Sequence, residues 1–144
     1  MTDPERQLVD RMNAATEQLN TYFKEIAAEI PPYGVTAVVK ILEEDGVVWH
    51  LSWERTPRGW ELSLQKSDTG SAEYERTPLL NASRRLRFIA AKNIQKLLDA
   101  LRARAFDEAH DLERLGRDLE KVLVKMRGDT PRTPVPGEEE LWQP

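Results

Sequence analysis

VTAVVKILEEDGVVWHLSWERTPRGWELSLQ, residues 35–65, is the stretch that decides the fold. Its side chains alternate in character with the period of two expected of a strand. Val35, Ala37, Val39 and Ile41 share one face, and Thr36, Val38, Lys40 and Leu42 the other. After Asp45-Gly46, a hairpin signal because both residues tolerate positive φ, the alternation resumes. Val47, Trp49, Leu51 and Trp53 fall on one side, with Val48, His50, Ser52 and Glu54 on the other. Thr56-Pro57-Arg58-Gly59 reads as a second turn, proline being pre-set for its second position. Trp60, Leu62 and Leu64 then alternate with Glu61, Ser63 and Gln65. Two turns and three alternating runs predict a three-stranded antiparallel meander with one face buried and one wetted. Trp49, Trp53 and Trp60 share the buried face, where such a set packs a core more often than it lines a ligand pocket.

Upstream, Leu8, Met12, Ala15, Leu19, Tyr22 or Phe23, Ile26 and Ile30 recur at steps of three and four, one face of a helix. Thr2 or Asp3 suits its cap and Pro4 its first turn, and Pro31-Pro32 ends it. Downstream, the polar run Ser67 to Glu75 reads as a loop. Thr77-Pro78 then opens a helix whose apolar stripe is Leu79, Leu86, Ala90, Ile94, Leu97, Leu98 and Leu101. A second stripe, Leu112, Leu115, Leu119, Val122 or Leu123, and Met126, precedes Gly128, a natural helix end. Asp107 suits the cap of a separate helix, so a break is expected near Phe106. The rival is one rod, which would need a partner to bury its stripe. The expectation is an α+β fold of order α-β-β-β-α-α, an N-terminal helix and a C-terminal helical pair on one sheet face. Residues 1–128 form a single domain and 129–144 a proline-rich acidic tail.

The 144 residues, 40% hydrophobic, suffice for one core. No apolar run approaches a membrane span, and the acidic start lacks a secretory h-region. The absence of cysteine excludes disulfides, thiolate zinc sites and cysteine nucleophiles. These features predict a cytoplasmic protein, with no membrane partner.

The net charge of −4 conceals segregation. Residues 1–45 carry nine acids and four bases, whereas residues 76–105 carry eight bases against Asp99 alone. At 100° per residue, Arg84, Arg85, Lys92, Lys96 and Arg102 gather opposite the leucine stripe, with Phe88 and Ile89 among them. Such a face suits an acidic protein, an acidic segment of the same chain, or phosphates; an ordinary solvated face is the plain alternative. The tail adds Leu141 and Trp142 beside Glu138, Glu139 and Glu140. Tryptophan is enriched at interface centres. Catalytic signals are weak. His50 and Ser52 share the wetted face without nucleophile-elbow glycines. His110 stands near Asp107, Asp111 and Glu113, but acids at a helix start are expected from the dipole alone. No phosphate-loop, dinucleotide or HExxH motif occurs. The sequence therefore predicts no catalytic residue, cofactor or metal. It predicts a protein-interaction module, self-associating or a subunit of a larger assembly, with Arg84, Arg85, Phe88, Lys92, Lys96, Leu141 and Trp142 at the contact. Nucleic-acid binding through the same basic face is the alternative.

Overall fold

A computed structural model describes residues 1–128. The strands and turns of the meander form as read, but the face expected to be wetted is closed at its centre, where Ser52 and Ser63 are fully buried and Glu54 nearly so. Strand β1 (Ala37–Glu44) turns through Asp45 and Gly46, with φ of 53° and 76°, into β2 (Val47–Thr56). Both turn residues are in the left-handed region, the geometry that matches strand twist in a two-residue hairpin. The second turn, Pro57-Arg58, leads into β3 (Gly59–Asp68), and the Thr56 hydroxyl accepts a hydrogen bond from the Arg58 amide at 3.1 Å. Pairing is antiparallel throughout, with Leu51 opposite Leu64 and Trp53 opposite Leu62.

The sheet has four strands, not three. Glu75–Pro78 forms β4, which pairs with β3 in the order β1-β2-β3-β4. A four-residue strand ending in proline carries no apolar alternation, so its sequence reads as loop. Short length, charge and proline also make it a blunt sheet edge. The opposite edge, β1, has a bulge between Lys40 and Leu42. The extra residue places Leu42 opposite Trp49, where an unbulged strand would place Ile41, and Ile41 still packs against the core.

Helix α1 (Asp3–Glu29) starts with a capping box, in which Glu5 Oε2 accepts from the Thr2 amide and Thr2 Oγ1 from the Glu5 amide. Helix α2 begins at Arg84, after a single 3-10 turn at Leu79–Asn81, rather than at Pro78. Ser83 Oγ caps it, accepting from the Leu86 amide at 3.3 Å. The expected break near Phe106 is absent: α2 runs unbroken from Arg84 to Arg127. No proline lies in this stretch, and its alanine, leucine, arginine and glutamate residues favour helix strongly enough to carry Phe106 and Asp107 through. Gly128, with φ of 67°, ends it.

The chain divides into a compact unit, Met1–Ala105, and a second beginning at Phe106. The core lies in the first, on the tryptophan-bearing face of the sheet. Leu51 and Leu64 are fully buried there with Leu79, together with Phe23 of α1 and Ala90, Leu97 and Leu101 of α2. Each large aliphatic side chain so buried contributes about 1.5–3 kcal/mol. Trp53 belongs to this core; Trp49 is half-buried against it. Trp60 stacks on Trp53 at a centroid separation of 6.2 Å.

Candidate interaction surfaces

The basic stretch of α2 is largely occupied by groups of its own chain. Arg84 donates to Asn13 Oδ1 at 2.7 Å and Arg87 to Asn20 Oδ1 at 2.9 Å, so the two asparagines of α1 receive arginines three residues apart on α2. Arg85 pairs with Glu44 at 2.6 Å, at the end of β1, and Lys96 Nζ donates to the Lys40 carbonyl at 3.3 Å. The hydrogen bond from Arg85, and then its charge, hold the Glu44 carboxyl below the usual carboxylate range and raise the Arg85 guanidinium above its own. Between these two ties, Lys92 sits 4.5 Å from the ring centre of the exposed Phe88. The line Arg85, Phe88, Lys92, Lys96 thus lies along the bulged edge strand, anchored at both ends. Of the readings open to this face, an acidic segment of the same chain has a concrete occupant in Glu44. Arg87, absent from the expected set, is the residue sequence reasoning missed; Asn13 and Asn20, seven apart on α1, were its only signal. Leu141 and Trp142 lie outside the described residues.

The outer face of the sheet holds a polar cluster. Glu54 and Glu61 stand directly opposite each other on β2 and β3, a like-charge pair that is unfavourable alone. Arg76 of β4 answers both, with Nη1 2.7 Å from Glu61 Oε1 and Nε 3.5 Å from Glu54 Oε1. Glu54 is only 8% exposed, and Ser52 Oγ and Gln65 Nε2 also donate to it, at 2.7 and 2.5 Å. A buried carboxylate needs such partners. The strand absent from the sequence reading is therefore the one that delivers the compensating charge. Ser52 directs its hydroxyl to Glu54, which gives no support to a Ser–His pair with His50. Ser63 Oγ and Arg87 Nε are buried without a hydrogen-bond partner among the described residues.

The distal part of α2 presents a different surface. Leu112, Leu115, Leu119, Val122 and Met126 are 60, 53, 63, 49 and 78% exposed. Their steps of three, four, three and four residues are those of a seam that buries itself against another helix. Leu123, beside the seam, is also exposed. Gly116 lies next to it, and a Cβ added there would meet no atom within 4 Å. Nothing in the described chain needs that residue to be small, although glycine inside a helix costs roughly 1 kcal/mol relative to alanine. The acids Asp107, Glu108, Asp111 and Glu113 do not sit at a helix start, because α2 is continuous there. The dipole therefore does not account for them. Only Asp111 has an ion pair among the described residues, with Arg114 at 3.5 Å.

Among the described residues no group of three or more His, Cys, Asp or Glu side chains is placed to hold a metal ion. No described helix is long and apolar enough to cross a membrane. A hollow of about 410 Å³ lies between the end of α1 and α2, lined by Ile26, Ile30, Tyr33, Leu98 and Leu101 with Glu25, Glu29 and Arg102 among its polar residues. No family model matches the chain, and neither a curated protein nor a solved structure matches it.

Proposed function

We propose that the protein is a non-enzymatic interaction module, working as a homo-oligomer or as a small subunit of a larger assembly, and that the distal stripe of α2 is its contact surface. The observation that carries this reading is the exposure of a five-residue seam, Leu112 to Met126, in an unbroken helix. Large contiguous apolar surface on a small protein marks an interaction site. Burying such leucine, valine and methionine side chains is worth about 1.5–3 kcal/mol each before the entropy of association is subtracted. The basic face of α2 then has an internal role beside any external one, since Arg84, Arg85 and Lys96 hold α1 and β1. A nucleic-acid role draws on those same cations, and their internal partners favour the protein reading over it.

Light scattering coupled to size exclusion tests the proposal. The full chain is expected to run above its 16.6 kDa monomer mass, or as a complex with a protein partner. Leu115→Asp with Leu119→Asp is expected to abolish that association and leave the fold of the first unit intact. A double variant that associates as the parent does would sink the proposal. If binding to nucleic acid is found instead, and weakens steeply with salt, the alternative stands.

A further inference from the structure

The charge along the distal helix points to what covers its seam. Residues 107–113 hold four acids and no lysine or arginine, whereas residues 114–127 hold five bases against Asp118 and Glu120. A second copy lying parallel and in register would set the acidic stretches against each other, and the basic ones likewise. Turned antiparallel, each acidic stretch meets a basic one. We infer that the occupant of the distal stripe is the same helix of a second copy, packed antiparallel about a two-fold axis near Arg117. The inference rests on the reading of this stripe as a contact surface.

The seam is consistent with that axis. Centred on Arg117, an antiparallel pair sets Leu112 against Val122 of the second copy, and Leu115 against Leu119, so that the four central layers each join two apolar side chains, while Met126 at either end comes opposite Glu108. Along one flank Asp111 comes beside Lys125 of the second copy, twice about the axis, against a single approach of the two Asp118 side chains between them, and such flanking pairs set helix orientation. Along the other flank Gly116 meets Gly116, where the absence of a side chain lets the two backbones approach. This gives the exposed glycine the role that the chain's own packing does not. The acids without a helix start to explain them gain a partner by the same step.

The chain has no cysteine, so single thiols report orientation cleanly. Leu112→Cys and Val122→Cys full-length proteins are prepared separately, then mixed and oxidised mildly. The expected result is a 112–122 disulfide in the mixture, at several-fold higher yield than either protein gives alone. Efficient self-linking of each single variant would mean a parallel pair and overturn the inference, while leaving the stripe as a contact surface. A monomeric mass with no cross-link also overturns it, the occupant then being a different protein or, if truncation after Gly128 restores pairing, the chain's own tail. A second measurement does not depend on the thiols. Asp111→Lys and Lys125→Asp should each weaken self-association at least several-fold, and an equimolar mixture should restore it. Failure of the mixture to recover would count against the antiparallel arrangement.

Discussion

The two ends of α2 carry the same kind of apolar pattern and meet opposite fates. Ala90, Leu97 and Leu101 are 0, 0 and 1% exposed beneath the sheet, whereas Leu112, Leu115 and Leu119 each leave more than half of their surface open. Both stretches recur at steps of three and four, so periodicity specifies a helix and one apolar face in each. It does not say what covers that face. For the proximal stretch the cover is the meander and α1. For the distal stretch nothing in the described chain serves, and the cover proposed above is a second copy.

Substitutions that separate the two stretches give the largest expected effects. Leu97→Ala should lower unfolding stability by about 2–5 kcal/mol, the range for emptying a packed core site. Leu119→Ala should change it by no more than about 0.5 kcal/mol when the protein is dilute, while weakening association. Urea denaturation at low concentration checks both, and equal losses would break the contrast. Next in size is Arg76→Ala, which leaves the facing Glu54 and Glu61 without their shared cation. A loss of about 1–3 kcal/mol is expected, measured in the same way. Gly116→Ala sharpens the contrast from the other side. It should favour the helix by roughly 1 kcal/mol and yet weaken self-association, as circular dichroism and scattering mass would show. Tighter association would argue against close approach at that residue.

The smallest effect belongs to Arg85→Ala, because the pair with Glu44 is exposed and screened by salt. Arg85 lowers the pKa of Glu44 in the folded state. The pair therefore contributes above the pKa that Glu44 has in the unfolded chain, and the contribution disappears as pH falls through the lowered folded value. The urea midpoints of the parent and Arg85→Ala should differ slightly at neutral pH and converge in acid or in high salt. A difference that persists in both would mean that packing of the arginine stem, not its charge, holds the hairpin end.

How much of this was legible in the sequence follows from the range of the physics involved. The meander, its turns and the extent of α1 depend on local alternation and on residues that tolerate particular φ values, so they read directly. The fourth strand did not, because Glu75–Pro78 owes its conformation to pairing with β3 and to Arg76 reaching two glutamates, both non-local. The continuity of α2 was misjudged at Asp107: a cap residue permits a helix start but does not require one. The clustering of Arg84, Arg85, Lys92 and Lys96 on one side was visible, but their partners Asn13, Glu44 and the Lys40 carbonyl depend on the tertiary fold. Leu141 and Trp142 fall beyond the described residues.

The central claim, that the proximal stripe builds the fold while the distal one serves association, is tested most directly by amide hydrogen exchange along α2. The full chain is compared with the Leu115→Asp, Leu119→Asp variant at equal concentration, high enough for the parent to associate. Protection of residues 84–101 should be the same in both, and protection of residues 106–127 should be present in the parent and lost in the variant. Equal protection of the distal amides in the two proteins, or loss along the whole helix, would contradict the account.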